Sequence, residues 1–183
     1  MDKVIGAIIC ALVVLLVVGL MWRSWGRRAR RDSALGGYPL PAVAGTAIVD
    51  TEVLYVASTP AGEPLERLAV SGLSFRGAAR IVVEAAGVTL RVAGEEAVFM
   101  PAERLSGART ASWAIDRGVE PGGLITIEWA ARETGATDGR PVESYLRARY
   151  EGDHARIIEA IDAIASARAA SADAATQTTE SEA

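Results

Sequence analysis

Cysteine and histidine are almost missing from this chain, with Cys10 its only cysteine and His154 its only histidine. A disulfide framework and a site of several thiolates on one metal are therefore excluded within one chain. A Ser-His-Asp triad would have to include His154, and no G-x-S-x-G elbow accompanies it. We expect no enzyme activity, no metal and no cofactor.

Basic residues are scarce beyond residue 31. Residues 1–31 carry Lys3 and five arginines against Asp2, a formal +5, whereas residues 32–183 carry thirteen arginines against twenty-two acids, a formal −9. Nucleic-acid-binding domains normally need a basic face to neutralise phosphates. The acidic remainder therefore predicts no nucleic-acid partner, and it also argues against broad adhesion to an anionic lipid surface.

One long hydrophobic run is present, at 4–22, without a charged, amide or hydroxyl side chain. A helix of this length spans roughly 28 Å, close to the hydrocarbon thickness of a bilayer. A cleavable signal peptide is the competing interpretation, but the run is too long for one and ends in Met21, Trp22 and Arg23 rather than in small residues. The sequence predicts an uncleaved transmembrane anchor, with the lipid bilayer as a partner.

The residues that follow this run predict its orientation. Arginines stay on the cytoplasmic side of a span, and tryptophans suit the headgroup level. The predicted membrane-interface residues are Trp22, Arg23, Trp25, Arg27, Arg28, Arg30 and Arg31. We expect a single-pass protein of the cell (plasma) membrane, with its N-terminus outside and its C-terminal domain in the cytoplasm.

The rest of the chain is predicted to comprise a linker at 32–45, one domain at 46–168 and a disordered tail at 169–183. The linker contains Gly36, Gly37, Pro39 and Pro41, a composition typical of flexible or extended chain. The tail is small, polar and acidic, and lacks the apolar surface that would offset the entropy of ordering.

Within the domain the hydrophobic period is two, as in half-buried antiparallel strands. The predicted strands are 47–57, 81–83, 88–92, 97–100, 106–112, 124–130 and 142–150. After Asp153, isoleucines at 157, 158, 161 and 164 recur at helical spacing, which predicts a helix to about Ala170 that covers an open end of the sheet. The predicted fold class is mainly β with one C-terminal α-helix.

The segment VEPGGLITIEW at 119–129 and the later strand SYLRARY at 144–150, within this order of strands and helix, resemble a pleckstrin-homology-like domain. Over residues 1–168 the chain is similar to a family of actinobacterial membrane proteins with one N-terminal span and such a domain. The resemblance implies a pleckstrin-homology-like barrel behind a transmembrane helix. This fold elsewhere binds phosphoinositides, peptides or proteins, but the early strands here carry acids and few basic residues, unlike the lipid-binding pattern.

Three arginines at outward positions of predicted strands, Arg91, Arg147 and Arg149, are the candidate patch for an anionic ligand. The alternative for them is pairing across strands with acids such as Glu128.

Other conspicuous residues favour structural roles. His154 is expected at the surface of a helix start, and Trp113 and Trp129 in the core. The glycines at 118–123 lead into a strand rather than a helix, which favours a turn over a phosphate loop. Acid pairs in solvated loops are expected at Glu63 and Glu66 and at Glu95 and Glu96.

The sequence therefore predicts a membrane-anchored, non-enzymatic binding or scaffolding module with an unidentified protein partner. The alternative is an accessory subunit of a membrane transport or export system that acts through its span. Small residues at Gly6, Ala7, Cys10 and Ala11 have the spacing that lets two such helices approach closely.

Overall fold

The computed structural model describes the backbone of residues 2–32, 34–114, 117–118 and 122–181. Side chains are described within residues 5–6, 10–23, 34–114 and 122–171. The chain divides into two compact units, and the boundary in the sequence lies between Ser33 and Ala34.

The first unit is a single helix, α1 (Asp2–Asp32), which covers the predicted span and its basic flank. Its described large apolar side chains are exposed, from 49% at Val17 to 73% at Trp22. Among the residues that the structure describes, no helix meets the length and apolarity needed to cross a membrane. Residue 4 and residues 7–9 of the predicted run have side chains outside the described residues.

The second unit is an antiparallel sheet followed by one helix, which confirms the predicted fold class. Its elements are β1 (Leu35–Gly36), β2 (Ala47–Pro60), β3 (Gly77–Glu84), β4 (Gly87–Val92), β5 (Val98–Pro101), a 3-10 turn (Ala102–Arg104), β6 (Leu105–Ala111), β7 (Trp113–Ala114), β8 (Arg117–Gly118), β9 (Leu124–Glu133), β10 (Arg140–Ala148) and α2 (Asp153–Ser181). The strands lie in the order β1-β9-β10-β2-β3-β4-β5, with β6 beside β9, and β7 pairs with β8.

Alternation along the strands fills a nearly closed barrel, as the sequence predicts. In β9 the inward residues Ile125, Ile127 and Trp129 are at most 2% exposed. Asp50 and Glu52 of β2 lie outside, as predicted. Because successive side chains of a strand point to opposite faces, each strand contributes one apolar row to the same core.

Residues 34–38, named here the strap, close the barrel, and the prediction of a linker over this stretch is wrong. Leu35 pairs with Glu133 of β9 and is 1% exposed in the core, while Tyr38 pairs with Phe99 of β5. Gly37 serves close approach: a Cβ there would lie 2.8 Å from Cγ1 of Val98. Gly37 therefore lets the strap approach β5 closely, whereas the sequence suggests flexibility.

Helix α2 covers the barrel with Ile157, Ile161 and Ile164, which are buried as predicted. Asp153, at its start, accepts a hydrogen bond from Oγ1 of Thr51 at 2.5 Å. The predicted end of the helix near Ala170 is wrong, since the backbone remains helical to Ser181 through the segment predicted as a disordered tail. That segment is rich in alanine and contains neither glycine nor proline, so nothing in it ends a helix.

Candidate functional site

Two of the predicted patch arginines, Arg149 and Arg91, lie at the ends of one row across the outer face of the sheet. Arg149, just after β10, donates a hydrogen bond to Glu52 of β2 at 2.9 Å. Arg80 of β3 follows in the row and stands directly opposite Arg91 of β4. Arg147 lies opposite Leu54 in the neighbouring row and is also engaged.

Two acids, Asp50 and Glu52, pair with arginines of this row. Arg80 donates two hydrogen bonds to the Asp50 carboxylate, at 2.6 and 2.7 Å. This pair holds the pKa of Asp50 below its ordinary value and raises the pKa of Arg80. Arg149 is thus paired across strands, as in the alternative interpretation, though with Glu52 rather than Glu128. The three arginines lie on β4 and at the end of β10, with β2 and β3 between them, and their role in binding an anion stays a prediction.

A second charged cluster, on β6, β9 and β10, was not predicted. Arg109 donates hydrogen bonds to Glu128 and, at 3.0 Å, to Glu143. Glu143 also accepts a hydrogen bond from the Tyr145 hydroxyl at 2.5 Å. Burial and this bond raise the pKa of Tyr145 to about 12. Residues far apart in sequence build the cluster, so no local motif could have revealed it.

The remaining candidates have the following surroundings. His154 is half-buried, with Nε2 3.2 Å from Oγ1 of Thr110. Trp129 is buried as predicted, whereas the prediction of Trp113 as a core residue is wrong, because it is 56% exposed. The neighbouring residue Ala114 is buried instead, in a small apolar cluster with Leu124 and Tyr145. Gly122 leads into β9 through a turn, and residues 119–121 lie outside the described residues.

Two acid pairs and the membrane-interface residues complete the set of predicted positions. The four glutamates lie in loops, at Glu63, Glu66, Glu95 and Glu96. Trp22 and Arg23 are exposed on α1, and the side chains of Trp25, Arg27, Arg28, Arg30 and Arg31 lie outside the described residues. Over the described part of the chain, no group of three or more His, Cys, Asp or Glu side chains is placed to hold a metal ion.

A concave surface of the described residues follows β5, the 3-10 turn and α2, and we name it the edge groove. Its first part has a volume of about 490 Å³ and is lined by Tyr38, Pro39, Pro41, Ala85, Ala86, Phe99, Pro101, Ala102, Glu103 and Arg168. Its second part has a volume of about 430 Å³ and is lined by Ala102, Glu103, Leu105, Ala165, Arg168, Ala169 and Ser171. The two parts adjoin, because they share Ala102, Glu103 and Arg168.

The lining of the edge groove limits what it can bind. Prolines, alanines and two aromatic rings form most of it, and the charged residues in its described lining are Glu103 and Arg168. Phosphate recognition relies on several convergent cations or on backbone N–H groups at a helix N-terminus. The groove instead suits an extended segment with apolar side chains.

The order of strands, the closing helix and the barrel they form agree with a comparison of sequences. A sequence profile of the bacterial PH domain-like family matches residues 36–162, most of the chain. The chain belongs to this bacterial PH domain-like family. The match begins at Gly36 in the strap, which is paired with Arg132 of β9 and so is part of the barrel. No curated protein matches the chain.

Proposed function

We propose that this bacterial PH domain-like protein is a membrane-anchored, non-enzymatic binding module of the cell membrane, with its domain in the cytoplasm. The apolar run at 4–22 and the arginines after it support the anchor and its orientation. The scarcity of histidine and cysteine supports a role without catalysis.

The edge groove is the observation that carries the proposed binding role. Prolines, alanines and two aromatic rings form most of its described lining, its two parts adjoin at Ala102, Glu103 and Arg168, and its first part lies along β5, at one end of the sheet order. The formal −9 of residues 32–183 disfavours nucleic acid and anionic lipid as ligands. We therefore assign the groove to an extended, largely apolar segment of a cytoplasmic protein. Anchoring raises the effective concentration of the domain at the membrane, so a modest affinity suffices.

Site-specific photocross-linking in intact membranes tests this assignment. A photoreactive residue replaces Ala86 or Glu103, both exposed in the groove, and the matched control position is Asp138 in the exposed β9–β10 turn. We expect adducts with one and the same protein from Ala86 and Glu103, and none with it from Asp138. Ala169→Arg, which places a long side chain in the second part of the groove, should abolish both adducts.

Two outcomes would contradict the assignment. Adducts with lipid alone at Ala86 and Glu103 would favour a lipid ligand, and equal adducts at Asp138 would remove the special role of the groove. If larger apolar residues at Gly6, Ala7, Cys10 and Ala11 abolish the cellular function while Ala169→Arg leaves it intact, the accessory-subunit alternative is favoured.

A further inference from the structure

The strap fills a slot between β9 and β5, which are not neighbours in the described sheet. On the β9 side, Ala34 and Leu35 lie beside the end of that strand, and Tyr38 reaches β5. The hydrogen bonds that hold it run from Thr134 N to Ala34 O at 3.0 Å, from Ser71 N to Leu35 O at 3.1 Å, from Tyr38 N to Phe99 O at 2.9 Å and from Arg132 Nε to Gly37 O at 3.1 Å.

The slot is selective for the sequence of the strap. It buries one apolar side chain, that of Leu35. At Gly37 any Cβ would meet Cγ1 of Val98 at 2.8 Å and the Phe99 nitrogen at 3.1 Å. An occupant therefore needs an apolar residue followed, two positions later, by glycine. Each copy of this chain carries such a segment.

The strap also has the shortest ladder among the described strands of the barrel sheet. Its ladder with β9 has only two residues, and glycine loses more conformational freedom on ordering than other residues. Elements with few hydrogen bonds and little buried apolar surface open at low free-energy cost. Residues 39–46, which join the strap to β2, are mostly exposed and span up to roughly 27 Å when extended.

We infer that the slot accepts the strap of a second copy, so that two anchored chains exchange straps and close each other's barrels. This inference rests on the proposed function, because copies held in one membrane meet at high effective concentration. Exchange of identical elements forms a dimer without any new interface, since the contacts of the strap are the same in both arrangements.

Disulfide trapping in membranes tests the exchange. Two differently tagged full-length chains, both Cys10→Ala, carry Tyr38→Cys and Phe99→Cys respectively. Residues paired across antiparallel strands have Cα separations that a disulfide can bridge. We expect a reducible heterodimer on oxidation. The matched control pairs the Tyr38→Cys chain with an Ile48→Cys chain, because Ile48 is exposed and lies on β2, which pairs with β3 and β10 rather than with the strap.

A second pair, Leu35→Cys with Glu133→Cys, follows the β1–β9 register and guards against a local effect of the first pair. A single chain that carries both Tyr38→Cys and Phe99→Cys reports that the substituted barrel still closes. If that chain oxidises internally and neither mixed pair forms more heterodimer than the control, the exchange is refuted. Loss of the chains from the membrane fraction would instead refute the anchor.

Discussion

Glu128 and Glu143 lie directly opposite each other on neighbouring strands, and Arg109 donates a hydrogen bond to both. Like charges in this position destabilise a sheet unless a cation lies between them. Glu143 is largely buried, so water screens the repulsion poorly on that side.

Arg109→Ala should therefore lower the free energy of unfolding by about 1–3 kcal/mol, because it leaves a buried carboxylate short of a donor. The matched control is Arg80→Ala, which removes the Arg80–Asp50 pair. Both members of that pair are more exposed than those of the Arg109–Glu143 pair, so the loss should be at most about 1 kcal/mol. Denaturant unfolding of the full chain in detergent measures both. Equal losses would show that Arg109 is only a surface arginine.

Two buried tyrosines predict a loss of stability in alkali. Burial raises the pKa of Tyr55 to about 12, and burial with the hydrogen bond to Glu143 raises that of Tyr145 to about 12. The unfolded chain ionises near the ordinary value of 10.0 while the folded chain stays protonated. Stability should therefore be complete below pH 10 and fall between pH 10 and 12, by about 1.4 kcal/mol per pH unit for each tyrosine.

Tyr55→Phe and Tyr145→Phe should each flatten this alkaline slope, whatever they do to stability at neutral pH. Unfolding at a series of pH values, with tyrosinate absorbance recorded in parallel, measures the effect. A slope unchanged in both variants would mean that other groups cause the alkaline loss.

Ser144 joins the polar groups inside the barrel. It accepts a hydrogen bond from Nε1 of Trp129 at 3.0 Å and lies 2.8 Å from Oγ of Ser58. Ser144→Ala leaves the buried indole N–H without its acceptor, at an expected cost of about 1–3 kcal/mol in free energy of unfolding. Ser171→Ala, on the exposed part of α2, should change stability by less than about 0.5 kcal/mol.

Alanine substitutions at the two adjacent glycines of the strap should differ in their effect on stability. Gly37→Ala should destabilise the barrel by about 1–3 kcal/mol through overpacking against Val98. Gly36→Ala should be tolerated, because its added methyl group would meet no atom closer than 3.9 Å. Hydrogen exchange at the Ser71 and Thr134 amides, which donate to the strap, should accelerate only in Gly37→Ala.

The orientation of the proposed anchor predicts the result of a C-terminal fusion. A reporter that works only in the cytoplasm should be active, because the arginines after the run at 4–22 hold that side inside. Replacing the five arginines by glutamine should reduce this bias. Strong activity from a reporter that works only outside the membrane would overturn the orientation.

Period-two patterns predicted most strands of the barrel, because inward side chains such as Ile125 and Val88 are apolar wherever one face of a strand is buried. The strap escaped prediction because its signal is the absence of a side chain. Gly37 lies where it does because Val98 leaves no room, and Val98 is far away in sequence. Glycine content alone therefore predicts only a flexible stretch at this place.

The sites were harder to predict than the fold for the same reason. The spacing of Arg91, Arg147 and Arg149 cannot show that β2 and β3 lie between them and contribute Asp50, Glu52 and Arg80. Likewise, Trp113 looks like a core residue until the hairpin of β7 and β8 turns Ala114 inward instead. The surroundings of the three arginines and the exposure of Trp113 both depend on strand pairing, which no local sequence pattern shows.

The strap also affects the order of folding. It is the first part of the domain to be synthesised, yet its partners on β5 and β9 come much later in the chain. Contacts between distant segments form slowly, since loop closure precedes any gain from pairing. Leu35 must therefore stay uncovered until β9 has been made and paired, and the last gap in the barrel is closed by the earliest residues of the domain.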